Sequence, residues 1–316
     1  MKGKIGILGG LGPEATIDLY KKIVYATPAV KDQEHIETII ISNPKIPDRT
    51  AHICNKEETP VPEMLKTIKE LELHNVSSIL IPCNTAHHFL EELQNSTNIK
   101  ILNMVEETVK EIKEKYPNIK KVGLLATDGT NKSKIYENEL KKHGLELILP
   151  TDYQQKHYIM EAIYGKTGIK AGFKQRPKKL LEVAALHLQF KGADVIIKGC
   201  TEIALALKSE VGRDEGDFIW SIRDFLLSVT RLPINIVFQI LNSLMYNPQE
   251  IVKELATDYI FRIPLIDPAT ILADRAVKHY KEITYTENIV SNILHENTNS
   301  ESIENKKVIQ EEILVK

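Results

Sequence analysis

Ser77-Ser-Ile-Leu-Ile-Pro-Cys83-Asn-Thr85 and Asp194-Val-Ile-Ile-Lys-Gly-Cys200-Thr-Glu202 are two short apolar runs, each ending in a cysteine followed by polar groups. Runs of this length, rich in Ile, Leu and Val, fit strands buried on both faces of a parallel sheet. Each has a partner earlier in the chain, Lys4-Ile-Gly-Ile-Leu8 for the first and Lys121-Val-Gly-Leu-Leu125 for the second. The chain therefore divides into two similar halves, each with an opening strand and a later strand that ends at a cysteine.

Working outward, apolar runs recur at 5–8, 38–41, 78–81, 122–125, 145–149 and 195–197. Between them lie stretches of helical period: 61–73 with Met64, Leu65, Ile68 and Leu71, then 105–116 and 180–190. This alternation predicts an α/β fold of two similar domains, each a doubly wound parallel sheet. Ligands of such sheets sit beyond the carboxyl ends of the strands, where both cysteines fall, so the two half-sites are expected to face each other across one cleft.

The rhythm breaks at 210–261, where Phe218, Ile222, Phe225, Leu226 and Val229 form one helical stripe and Ile236, Val237, Ile240, Leu241 and Leu244 another. With Pro233 suited to the start of the second helix, this segment is predicted to be an inserted helical hairpin packing on the body or on another subunit. From Thr284 the chain is mostly polar and is expected to form a mobile tail.

Composition narrows the function. At 316 residues and 42% hydrophobic, the chain has material for two soluble domains. The 41 Lys plus Arg against 43 Asp plus Glu leave a formal charge of -2 and no positive field for a phosphate backbone, so nucleic acid is not an expected partner. The most apolar stretch, 218–246, carries Arg223, Asp224, Arg231 and Pro233 and does not suit a bilayer span, so no membrane association is expected. Met1-Lys-Gly-Lys4 leads straight into a strand without signal-peptide features, and a cytoplasmic location is expected. Three cysteines, Cys54, Cys83 and Cys200, make no disulfide framework.

Moving a proton off one face of an amino-acid α-carbon and returning it to the other needs an acid and a base on opposite sides. Thiols suit this, with an unperturbed pKa of about 8.5 that neighbours can tune. Cys83 is followed by Asn84 and Thr85, and Cys200 by Thr201 and Glu202, whereas Cys54 has the context of a small core residue. His87 and His88 could pair with Cys83, but capping or packing suits them better, and no further residue is spaced for zinc. Gly9-Gly-Leu-Gly-Pro13 leads from strand to helix, where amides can meet an anion, without making a dinucleotide fingerprint.

Pro82-Cys-Asn-Thr-Ala-His-His-Phe89 and Gly199-Cys-Thr-Glu-Ile203 resemble the two signatures of the aspartate/glutamate racemase superfamily. Gly9-Gly-Leu-Gly-Pro-Glu-Ala-Thr16, Ile46-Pro-Asp-Arg-Thr50, Gly123-Leu-Leu-Ala-Thr127, Ile163-Tyr-Gly165, Ile169-Lys-Ala-Gly172 and Leu265-Ile-Asp-Pro268 resemble its aspartate racemase branch. Glutamate racemases usually have Asp-Ser and His where this chain has Gly9-Gly10 and Glu202.

The resemblance implies a racemase working without pyridoxal phosphate, metal or other cofactor, on a dicarboxylic amino acid, with Cys83 and Cys200 as the acid/base pair. It implies that Asn84, Thr85 and Thr201 hold the α-carboxylate, with Thr127 and Gly10 as further contacts. Arg49 and Lys170 would face the distal carboxylate, Arg49 through its guanidinium fork, and Glu202 the ammonium. Homodimers are common in this superfamily, and one is expected here. The implied division is 1–115 with 262–283 as one domain, 116–209 as the second, 210–261 as the insertion and 284–316 as the tail.

Two positions depart from the pattern. Lys198, where the family is usually apolar, should share a strand face with Cys200 and either lower its pKa or reach solvent. Ala204 replaces a proline that often follows the second signature. Glutamate or broad-specificity racemisation is an alternative, since a methylene changes pocket energetics by only about 1–3 kcal/mol. A non-catalytic amino-acid-binding module or a decarboxylase or isomerase relative are others, and the presence of both thiols argues against each.

Overall fold

A computed structural model describes residues 3–207 and 263–298, with side chains as far as 286. Strands β1 (Ile5–Gly9), β2 (Thr38–Ser42), β3 (Ser78–Leu80) and β4 (Lys100–Ile101) form one sheet in the order β2-β1-β3-β4. Strands β5 (Lys121–Ala126), β6 (Glu146–Ile148), β7 (Val195–Gly199) and β8 (Leu265–Ile266) form a second in the order β6-β5-β7-β8. Every pairing is parallel. The two sheets share one topology, as the paired sequence runs predicted. The predicted runs all became strands, whereas β4 and β8, of two residues each, are too short to leave a periodic signal.

The helices are α1 (Pro13–Ala26), α2 (Arg49–Asn55), α3 (Val61–Leu73), α4 (Leu90–Asn95), α5 (Met104–Lys115), α6 (Asp128–Ser133), α7 (Ile135–Lys142), α8 (Asp152–Gln154), α9 (Glu161–Tyr164), α10 (Gln175–Phe190), α11 (Thr201–Ala206) and α12 (Pro268–Thr298). The first sheet is covered on both faces. Leu8, Ile79 and Ile81 meet Met64, Ile68 and Leu71 of α3 on one side, while Ile5, Ile7 and Leu80 meet Leu19 and Ile23 of α1 and Leu272 of α12 on the other. The second sheet is likewise enclosed, Leu125 and Ile196 packing on Leu181 and Leu188 of α10, and Val122, Leu124 and Ile197 on Val109 and Ile112 of α5. Each such aliphatic side chain, fully buried, stabilises the fold by about 1.5–3 kcal/mol.

Tertiary packing redraws the expected boundaries. Helix α5, counted with the first half, packs on the second sheet, and Leu265–Ile266, counted with the return to the first half, pair with β7. Among the described residues after 207, α12 is the element that returns to the first sheet. Apolar periodicity marks the face a helix buries, not the sheet that covers it. Helix α12 also continues to Thr298, so 284–298 is helical where a loose tail was expected. The predicted hairpin at 210–261 and the remainder of the tail lie outside the described residues. Among the described residues no helix is long and apolar enough to cross a membrane.

Candidate active site

In both sheets the central pair, β1 with β3 and β5 with β7, is where the strand order reverses, so loops leaving their carboxyl ends diverge and open a crevice. Cys83 lies just beyond β3, Thr127 caps α6 after β5, and Cys200 caps α11 after β7. Arg49 opens α2, whose cap Asp48 accepts from the Ala51 amide at 2.9 Å. These groups line an inner cavity of about 10 Å³, room for a single water. Every residue to which the resemblance assigned catalysis or substrate binding lines it except Gly10, and Leu11, Thr50 and Tyr164 join them.

The Arg49 guanidinium lies against the Cys83 thiol. Burial works against its charge, but Cys83 and Asp48 more than offset this and hold it protonated. Its Nη1 donates to the carbonyls of Ile46 at 3.3 Å and Pro47 at 2.9 Å, and Nη2 donates to that of Leu11. The free fork anticipated for a distal carboxylate is therefore engaged by backbone, leaving a buried Nε with no hydrogen-bond partner among the described residues.

Cys200 has the opposite surroundings. Its Sγ donates to Glu202 Oε2 at 3.0 Å, where Thr201 Oγ1 also donates at 3.1 Å, and Lys170 Nζ holds Glu202 Oε1 at 2.8 Å. Burial, reinforced by the Glu202 charge, pushes the Cys200 thiol well above its ordinary range, only partly opposed by Lys170. Burial alone would neutralise Glu202, yet Lys170 and the Cys200 hydrogen bond hold its carboxyl below the usual range. Lys170 is likewise opposed by burial and raised by Glu202, and it stands 5.3 Å from the centre of the Tyr164 ring. One thiol thus faces a cation and the other an anion.

Four buried hydroxyls join the halves. Thr127 Oγ1 meets those of Thr50 at 3.1 Å, Thr85 at 3.1 Å and Thr130 at 3.2 Å, and Thr85 meets Thr130 at 2.8 Å. Asn84 Oδ1 accepts from the Tyr136 hydroxyl at 2.5 Å, while its buried Nδ2 has no hydrogen-bond partner among the described residues. The cavity therefore offers unspent N–H groups and hydroxyls that can turn their protons, the donor set a carboxylate needs. Thr50 and Tyr164 sit inside motifs already quoted from the sequence, and Thr130 is three residues past Thr127. Tyr136 has no local signal.

Gly10 has another role. Its φ of +88° requires glycine, a Cβ there would come within 2.3 Å of the Asn43 backbone, and its N–H already donates to Thr16 Oγ1 at 2.9 Å. It lines an outer cavity of about 420 Å³ that shares Arg49, Lys170 and Glu202 with the inner one. His87 is structural: its Nε2 accepts from the Met104 amide at 3.1 Å, which leaves Nδ1 to donate to the Cys83 carbonyl at 2.9 Å, and burial holds its pKa down. Lys198 does not reach solvent. It is buried, with Nζ 3.2 Å from the Leu207 carbonyl and 3.6 Å from Asp267.

Two sheets of one topology, each with a cysteine at its switch point and both cysteines lining one donor-lined cavity, define the class. The profile of the Asp/Glu/hydantoin racemase family matches residues 8–219, and the chain belongs to that family. It is 31% identical over 209 residues to the broad specificity amino-acid racemase RacX of Bacillus subtilis (strain 168), covering 64% of this chain and 87% of that one. Among solved structures, the aspartate racemase of Picrophilus torridus superposes with a TM-score of 0.63 at 24% identity, over 88% of this chain and 95% of that one. The glutamate racemase of Francisella tularensis, in complex with D-glutamate, superposes with a TM-score of 0.54 at 16% identity, over 90% and 82%. At such identities both structures show the fold.

Proposed function

We propose that the chain is an amino-acid racemase that interconverts L and D enantiomers, aspartate foremost, through Cys83 and Cys200 and without a cofactor. The observation that carries this reading is that both thiols line one cavity from opposite halves, one beside a guanidinium and the other on a carboxylate. One thiolate takes the α-proton, becoming a thiol, and the electron pair passes into the α-carboxylate as an enolate-like carbanion. The opposite thiol then delivers its proton to the other face and is left as the thiolate. Asn84 Nδ2 and the hydroxyls of Thr85, Thr127 and Thr201 hold the carboxylate as its charge grows. Lys170 meets the distal carboxylate, and Glu202 the ammonium once it parts from Lys170. The inner cavity of about 10 Å³ is smaller than an amino acid, so substrate entry enlarges it.

A second reading, broad specificity, is favoured by the outer cavity of about 420 Å³ immediately beyond Lys170 and Glu202, which gives a longer side chain somewhere to go. It is also favoured by the similarity to RacX. Incubation with L-aspartate, L-glutamate and a panel of longer amino acids in deuterium oxide, followed by NMR and chiral chromatography, tests both. Loss of the α-proton with appearance of the D form is expected for aspartate. The same outcome across longer side chains as well selects the second reading, and retention of the α-proton in every amino acid by the folded protein overturns both.

A further inference from the structure

We infer that Lys198 is a positioning residue that fixes the Glu202 carboxylate against Cys200 by anchoring the far end of α11. The side chain is 1% exposed on a strand whose Val195, Ile196 and Ile197 are otherwise all fully buried. A buried ammonium is retained only when it is paired. Among the described residues its partners include the Leu207 carbonyl at the C-terminus of α11 and Asp267 at the start of α12, and through Asp267 the side chain of Lys22 on α1 at 2.8 Å, itself bound to Asp18.

Helix α11, six residues from Thr201 to Ala206, is too short to hold its own shape. Cys200, Thr201 and Glu202 stand at its start, and Leu207 closes it with an N–H bond to Ile203. A proline in its first turn would fix φ there, but this chain has Ala204, whose N–H reaches the Cys200 carbonyl only at 3.4 Å. The cation of Lys198 instead secures the opposite end, where the carbonyls point and positive charge is favoured. The two departures seen in the sequence, a lysine for an apolar residue and an alanine for a proline, are thus complementary. Losing this anchor lets α11 turn and draws Glu202 off the thiol.

The inference rests on the two-thiol reading only for its catalytic consequence. In a Cys54→Ser, Cys83→Ser background, the pH dependence of Cys200 alkylation by iodoacetamide is followed with Lys198, with Lys198→Met and with Lys198→Arg. Loss of a nearby cation acting only through space would raise the thiol midpoint. Loss of the anchor lowers it, because the carboxylate leaves, and that downward shift is the expected result, with Lys198→Arg close to the parent. In the chain with all its cysteines, Lys198→Met should reduce kcat on the order of 10- to 100-fold, with KM changed less. An unchanged or raised midpoint in folded Lys198→Met overturns the proposal. If that variant does not fold, Lys198→Gln, which removes the same charge with a polar side chain, is expected to shift the midpoint down likewise, and an unchanged or raised midpoint there overturns it equally. A protein that exchanges no amino-acid α-proton defeats the racemase reading while leaving this titration interpretable.

Discussion

At the scale of single residues, the two thiols differ in the charge beside them, Arg49 for Cys83 and Glu202 for Cys200. Replacing either cysteine by serine should lower racemisation by about 10³-fold or more, while leaving exchange of the α-hydrogen of one enantiomer, as NMR in deuterium oxide would reveal. Glu202→Gln removes the anion from Cys200 and should bring its alkylation midpoint down. The raised Cys200 pKa also bears on stability. Its contribution is fully present below the unfolded thiol value of about 8.5 and is lost as pH rises through the higher folded value, since the unfolded chain ionises first. Urea unfolding from about pH 8 upward should therefore show stability falling, and Cys200→Ala should flatten that slope.

At the scale of elements, strand ends and helix starts position the chemistry, so backbone constraints matter more than surface charge. Gly10 turns the chain from β1 toward α1 at φ +88°, with the Asn43 backbone where a side chain would be. Gly10→Ala should lower stability by about 2 kcal/mol or more, measured by thermal or denaturant unfolding, and should disturb the outer cavity with it. A wild-type melting temperature would mean that this loop rearranges freely.

At the scale of the whole molecule, the contacts that join the halves over the site are mostly polar: the threonine cluster, Tyr136 to Asn84, Tyr164 to Asp48 at 3.1 Å, and Lys174 to Glu14. Polar contacts of this kind exchange readily with a ligand or with water. A ligand held between them stabilises the folded chain by mass action, about 2.7 kcal/mol at a hundredfold excess over Kd. D-Aspartate should therefore raise the melting temperature of the protein, and Thr127→Val, which keeps shape but removes the central hydroxyl, should diminish that rise and lower kcat/KM by about tenfold.

Strand runs, their repetition and the residues after each cysteine were legible in the sequence because they are local: alternation of short apolar runs with helical periods defines the sheets, and a strand end defines where a ligand is met. The α/β class, the two halves and the place of each cysteine at a strand end followed from that, whereas the other cavity-lining residues were singled out by the resemblance to the racemase superfamily. What sequence could not supply was set by contacts between distant residues. Packing decided that α5 covers the second sheet and that Leu265–Ile266 complete it. It gave the terminal N–H groups of Arg49 to carbonyls of Leu11, Ile46 and Pro47 rather than leaving a fork, and the amide of Gly10 to Thr16. It also paired Lys198 with Asp267, 69 residues along the chain, in a buried network where solvent or the Cys200 thiol had been the expected neighbour. Charges and donors in a low-dielectric interior take whichever partners the fold brings within reach, and only the tertiary structure determines which those are.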